Sequence, residues 1–107
     1  MSTKILTDTE IRDGILKAFA RFRPHRIILF GSHAQGSADE ESDIDLIVVY
    51  DTEKRFLDRL RELYMAWDLP RAVDILAYTP QEFAELKSTR PFVQDAVATG
   101  KVLYERE

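Results

Sequence analysis

The spacing of the apolar runs is the feature that most restricts how this chain can fold. Two runs rich in strand-forming residues span 26–30 and 43–50, and about ten mostly small and polar residues separate them. That connection is short for a parallel crossover, which needs about a dozen residues or more, so we expect antiparallel neighbours. A third run at 72–77 follows a helix-length segment at 52–69, so the second and third strands should be parallel.

The helix signals complete the predicted order of elements. Thr7 with Glu10 and Thr79 with Glu82 have the spacing of capping boxes, and Pro24 ends the first helix. Further helices are predicted over 52–69, 80–88 and 92–98, a helical turn around 33–35, and an edge strand over 102–104. We therefore expect one domain over residues 1–107, of the α/β (α+β) class, with a small mixed β-sheet flanked by helices.

The central predicted helix carries a wide apolar stripe. Asp51 and Thr52 offer a cap at its start, and Pro70 closes it. The stripe is predicted to face the core, and it consists of Phe56, Leu57, Leu60, Leu63, Tyr64 and Trp67. The alternative for Trp67 is a surface position from which the indole could stack on a nucleic-acid base.

Composition excludes several classes of function. The net charge of −4 argues against a general affinity for nucleic acids, which needs a basic face. The absence of cysteine excludes disulfides, thiolate nucleophiles and cysteine metal sites. The sequence has neither an export signal nor an apolar run of the roughly 18 residues that a membrane helix needs, so we expect a cytoplasmic protein without membrane contact.

The chemistry-bearing residues lie at the ends of the predicted strands. Gly31 and Ser32 end the first strand, and a tight Gly-Ser turn can offer backbone N–H groups to phosphate oxygens. Asp43 and Asp45 open the second strand two residues apart, so their side chains should point the same way. Asp74 interrupts the third strand, where a buried carboxylate is costly unless it is paired or binds metal.

The predicted topology brings these three carboxylates to one edge of the sheet. Mutual repulsion would be relieved by divalent cations, and Mg²⁺ prefers oxygen ligands together with phosphates and water. A pair of Mg²⁺ ions can clamp the attacking and leaving oxygens of a phosphoryl displacement. Asp43 and Asp45 would then bridge both ions, and Asp74 would hold the ion beside the attacking hydroxyl and help to remove its proton. Gly31 and Ser32 would bind the β- and γ-phosphates.

The pattern resembles a known enzyme family. It reads Gly-Ser-His-Ala-Gln-Gly at 31–36, Ser-Asp-Ile-Asp-Leu at 42–46 and Val-Asp-Ile at 73–75. This is similar to the nucleotidyltransferase superfamily that includes DNA polymerase beta, and above all to its minimal nucleotidyltransferases, found beside HEPN-domain toxins. The family commonly carries arginine where His33 and Gln35 stand in this chain.

The resemblance implies a fold, an activity and a partner. It implies the nucleotidyltransferase fold, with Asp43, Asp45 and Asp74 as catalytic metal ligands and Mg²⁺ as cofactor. It further implies an antitoxin that transfers AMP from ATP to a tyrosine hydroxyl of a HEPN toxin. The nucleotide-binding residues it implies are Gly31, Ser32, His33 and Ser42.

Other interpretations of the same residues remain open. Ser42 is as well suited to capping the turn before the second strand as to touching substrate, and His33 to an exposed loop as to a phosphate contact. The domain could neutralise a toxin by binding alone, with a vestigial nucleotide site. Transfer to RNA or to a small molecule is a third possibility, although known enzymes of that kind carry an additional acceptor-binding domain.

Overall fold

A four-stranded mixed sheet forms the centre of the molecule, in strand order β3-β2-β1-β4. The computed structural model describes residues 6–39 and 41–106. The strands are β1 (Arg26–Phe30), β2 (Ile44–Val49), β3 (Val73–Tyr78) and β4 (Lys101–Glu105). The helices are α1 (Asp8–Phe19), α2 (Ser32–Gln35), α3 (Phe56–Ala66), α4 (Pro80–Thr89) and α5 (Pro91–Thr99).

The predicted strand pairings are confirmed. β1 and β2 are antiparallel, β2 and β3 are parallel, and α3 supplies the crossover between the latter two. β4 lies antiparallel to β1 at the outer edge, with an irregularity in register between Ile27 and Ile28. The order of elements along the chain is also as predicted, and so is the α/β (α+β) class.

The sheet is covered on both faces, as the nearly continuous apolar runs of β1 and β2 require. One face packs against α1 and α3, and its core includes Ile15, Phe19 and Leu46. The other face packs against α4 and α5, and its core includes Ile47 and Val93. Within the described residues, no helix is both long enough and apolar enough to cross a membrane.

Both predicted capping boxes are present, but the predicted cap of α3 is wrong. Thr7 pairs with Glu10 at the start of α1, and Thr79 pairs with Glu82 at the start of α4. By contrast, α3 begins only at Phe56, because the Thr52 hydroxyl accepts a hydrogen bond from the Lys54 amide in the preceding loop. The first helix also ends earlier than predicted: α1 stops at Phe19, and a 3-10 turn over Ala20–Phe22 leads towards Pro24.

The apolar stripe of α3 is only partly buried, which corrects the prediction that all of it faces the core. Leu63 is fully buried and Leu60 packs on the core, but Leu57 is 76% exposed. Phe56 and Tyr64 are also exposed, since α3 packs on the edge strand β3 and only one side of the helix meets the sheet. Trp67 is partly buried and stacks on Phe19 at 6.1 Å between ring centroids, so it packs against the core as predicted.

Candidate active site

Two of the three predicted aspartates lie side by side across the parallel strands. Asp45 of β2 is in direct register with Asp74 of β3, and on its other side with Phe30 of β1. Residues in register on neighbouring strands point to the same face, so these three side chains form a row across the sheet. By strand alternation, the row lies on the face that α4 and α5 cover further along the strands.

Gly31 places the turn after β1 directly against Asp45. It has φ +75° and ψ −154°, a conformation that is essentially restricted to glycine. A Cβ atom at this position would overlap the Asp45 carboxylate, so the glycine is required for the close approach as well as for the turn. The amides of Ala34 and Gln35 both donate to the Gly31 carbonyl, which starts α2 immediately beside the carboxylate row.

The electrostatics of Asp45 show how closely the site residues are grouped. Burial raises the pKa of Asp45 above its ordinary value, and the charges of Asp74 and Asp43 and a hydrogen bond with Asp74 raise it further. His33 acts in the opposite direction. Asp43 and Asp74 are themselves exposed. The sheet edge therefore gathers the negative charge of three carboxylates around the one that is partly buried.

Ser42 and His33 have partners within the loop that leads into β2. The Ser42 hydroxyl accepts a hydrogen bond from the Asp39 amide at 2.9 Å and donates one to the Asp39 carboxylate at 3.2 Å. His33 Nε2 donates to the Ser42 carbonyl at 3.2 Å. The turn-capping alternative for Ser42 thus has direct structural support. The bond from His33 was not predicted, because nothing in the sequence pairs a histidine with one particular carbonyl.

The residues present fit a magnesium–phosphate complex better than a metal cage made by the protein alone. Among residues 6–39 and 41–106, no three His, Cys, Asp or Glu side chains are grouped closely enough to hold an ion by themselves. Mg²⁺, however, is usually held by one or two carboxylates together with phosphates and water. The paired Asp45 and Asp74, with Asp43 nearby, match that donor set, and the absence of a side chain at Gly31 lets the turn approach the Asp45 carboxylate closely.

Sequence comparison identifies the family. Residues 14–107 match the model of the family described as polymerase beta, nucleotidyltransferase. The chain belongs to this family. The match includes all the strands and every residue of the carboxylate row, so the predicted resemblance is confirmed.

Two relatives from Methanocaldococcus jannaschii are provisionally named protein adenylyltransferases. MJ0604 is 37% identical over 90 residues, which is 83% of this chain and 87% of that protein. MJ1305 is 34% identical over 87 residues, which is 76% of this chain. The match spans only 58% of the length of MJ1305.

A solved structure described as a toxin–antitoxin with AMP-PNP has the same fold. It superimposes with a TM-score of 0.65 and 27% sequence identity, over 90% of this chain and 74% of that chain. The architecture described above is therefore a nucleotidyltransferase fold.

Proposed function

We propose that this chain is a Mg²⁺-dependent protein adenylyltransferase that moves AMP from ATP to a hydroxyl group of a partner protein. The observation that supports this most directly is the register of Asp45 and Asp74 across parallel strands, with Gly31 closed against Asp45. Paired carboxylates that can hold metal ions, with a glycine turn beside them, are the parts that nucleotidyl transfer requires. The names of the relatives point to the same reaction.

Each residue has a distinct task in the proposed reaction. Asp43 and Asp45 would hold both Mg²⁺ ions, and Asp74, on the edge strand, would hold the ion beside the attacking hydroxyl and face the acceptor. Backbone N–H groups at Gly31 and Ser32 bind the β- and γ-phosphates at the start of α2. His33 and Ser42 act by holding the loop before β2 in place, since the His33 ring donates from α2 to the Ser42 carbonyl and the Ser42 hydroxyl is bonded to Asp39.

The transfer itself is a single displacement at phosphorus. The acceptor oxygen forms a bond to the α-phosphorus as the bond from that phosphorus to the bridging oxygen breaks, and pyrophosphate leaves. Asp74 accepts the proton of the attacking hydroxyl. When bound, Mg²⁺ supplies the positive charge that balances the developing negative charge on the phosphate oxygens.

The proposed acceptor is a tyrosine of a HEPN-domain toxin, which makes the chain an antitoxin. Support comes from the structural neighbour, which is described as a toxin–antitoxin pair, and from the family resemblance of the Gly-Ser and Ser-Asp-x-Asp motifs. We propose that the two proteins act together in the cytoplasm.

Labelled transfer tests this proposal. The chain is incubated with α-labelled ATP, Mg²⁺ and the cognate toxin, and label on the toxin is expected. Asp43→Asn and Asp45→Asn should each reduce labelling by more than about 100-fold, because an amide is a far weaker metal ligand than a carboxylate. Asp13→Asn is the matched control, since Asp13 is exposed on α1, away from the row.

The same variants separate catalysis from simple binding. Absence of label on the toxin with the unaltered chain would contradict the proposed activity. If Asp43→Asn and Asp45→Asn still neutralise the toxin completely, the chain acts as a non-catalytic binding module instead. Neutralisation that fails in both variants, but not in Asp13→Asn, supports adenylylation as the means of neutralisation.

A further inference from the structure

An exposed aromatic ring stands beside the carboxylate row without any part in the roles assigned so far. Phe92, in the first turn of α5, is 58% exposed. Its ring and that of Phe30 lie edge to face, 5.8 Å apart between centroids, with an interplanar angle of 90°. This edge-to-face geometry is a favoured arrangement for aromatic pairs, so the ring of Phe92 has a defined position.

The position of Phe92 follows from its contact with Phe30. Phe30 is in register with Asp45 and forms the β1 end of the row, whereas Asp74 forms the β3 end. Neighbouring strands are about 4.8 Å apart, so the two ends of the row are separated by about 10 Å. Helix α5 packs mainly on β1, whereas α4 packs on β3. Phe92 therefore lies over the β1 end of the row, on the sheet face that carries the row and away from Asp74.

The chemistry of the displacement decides which part of a substrate can reach this ring. The attacking and leaving oxygens lie in line through the α-phosphorus, so the ribose and base must leave that line sideways. The acceptor occupies the Asp74 side, and the leaving phosphates occupy the Gly31 turn at the end of β1, from which α2 continues towards the opposite face of the sheet, where Ala34 packs in the core. The nucleoside is then the part of the substrate that extends over the sheet face towards the start of α5, where Phe92 is exposed.

We propose that Phe92 is the nucleobase-stacking residue of this site, held in position by its edge-to-face contact with Phe30. This inference rests on the proposed function, because it needs a nucleoside triphosphate at the carboxylate row. A phenyl ring contacts the flat face of a base and does not read its edge, so stacking contributes similarly to adenine and guanine. Phe92 thus strengthens nucleotide binding without selecting ATP over GTP.

Equilibrium titration of the whole chain tests this role. Kd is measured for ATP, GTP and inorganic tripolyphosphate, each with Mg²⁺. Phe92→Ala should weaken ATP and GTP binding by about tenfold, the usual effect of removing one stacked ring, and should leave the Kd of tripolyphosphate unchanged. Phe92→Trp should retain nucleotide affinity. Leu57→Ala is the matched control, because Leu57 is an exposed apolar residue on the far helix α3.

The outcomes distinguish this inference from the proposed function. Equal ATP affinity in Phe92→Ala and the unaltered chain overturns the stacking role alone. If that variant binds ATP normally but labels the toxin poorly, Phe92 contacts the partner protein, and the stacking role is again overturned. An unaltered chain that binds neither ATP nor tripolyphosphate overturns both the inference and the proposed function. Thermal melting of each variant confirms that it is folded.

Discussion

At the scale of single residues, Gly31 is the position where backbone conformation and site geometry meet. Its φ and ψ lie in a region essentially restricted to glycine, and the space where a side chain would begin is occupied by the Asp45 carboxylate. Gly36, at the other end of α2, also has a positive φ, of 76°, but nothing lies within 4 Å of the position its Cβ would take. Gly31 thus combines a glycine-only conformation with a close carboxylate, whereas Gly36 has only a left-handed conformation.

Gly31→Ala should destabilise the fold more than Gly36→Ala. We expect a loss of about 1 kcal/mol for Gly36→Ala, whose left-handed conformation other residues can adopt, and about 3 kcal/mol for Gly31→Ala. Unfolding in urea measures both losses. Combining Gly31→Ala with Asp45→Ala should recover part of the larger loss, because the crowded carboxylate is then absent. A double variant that is no more stable than Gly31→Ala would show that Asp45 does not constrain this turn.

How much of the site the sequence predicts depends on the kind of interaction. The proximity of Asp45 and Asp74 follows from alternation and strand direction, both of which can be inferred from local patterns. The hydrogen bond from His33 to the Ser42 carbonyl cannot be inferred in this way, because it depends on the path of a polar loop. The contact between Phe30 and Phe92 joins residues far apart in the chain, and no sequence pattern indicates it.

At the scale of elements, the outer edge of β3 is closed by a side chain. Every second backbone amide of an edge strand faces away from its neighbour and needs another acceptor. The amide of Ile75 donates to the Tyr64 hydroxyl at 3.1 Å, so α3 is attached to the edge strand next to Asp74. Tyr64 was predicted to be a core residue, but its exposed ring and bonded hydroxyl show that it covers an edge instead.

Tyr64→Phe should loosen this edge while leaving the packing of the ring intact. Loss of the single acceptor should cost about 1 kcal/mol in the free energy of unfolding. Hydrogen exchange at the Ile75 amide should become faster, and that amide is the direct reporter. Tyr104→Phe serves as the control, since Tyr104 is an exposed tyrosine on the opposite edge strand β4. Unchanged exchange at Ile75 would contradict the proposed closure of the edge.

Element boundaries were predicted well where the signal is local and poorly where a loop competes for it. In the capping boxes at Thr7 and Thr79, the threonine and the glutamate three residues later accept hydrogen bonds from each other's backbone amides. Four consecutive residues therefore suffice to identify each box. Thr52 is also a good capping residue, but its hydroxyl is bonded to the Lys54 amide within the loop, and α3 starts at Phe56. A cap cannot be assigned from residue type alone when a nearby loop amide is available.

At the scale of the whole molecule, the carboxylate row costs stability that a bound substrate can restore. The pKa of Asp45 is raised, first by burial and then by its acidic neighbours, so the folded chain binds that proton more tightly than the unfolded chain. The contribution of this proton to the stability of the fold is complete below the ordinary pKa of an aspartate. It is lost as the pH rises through the raised pKa of Asp45. Near neutral pH, the folded chain therefore carries the repulsion of the row.

Asp45→Asn should accordingly stabilise the folded chain at neutral pH while abolishing transfer. We expect its melting temperature to exceed that of the unaltered chain by a few degrees at about pH 7, and the difference to shrink towards about pH 4. Mg²⁺ with ATP should raise the melting temperature of the unaltered chain and have little effect on the variant. A difference that is independent of pH would contradict the assigned repulsion.

Side chains alternate between the two faces of the sheet along β2, so the register of this strand decides whether Asp45 lies in the carboxylate row. Leu46 and Val48 face the α1 and α3 side, and Asp45 faces the other side. If β2 paired with its neighbours one position out of register, every side chain of the strand would exchange faces. Asp45 would then enter the apolar core under α1 and α3, and a leucine would take its place in the carboxylate row. The carboxylate on which the site depends therefore also disfavours this shifted pairing.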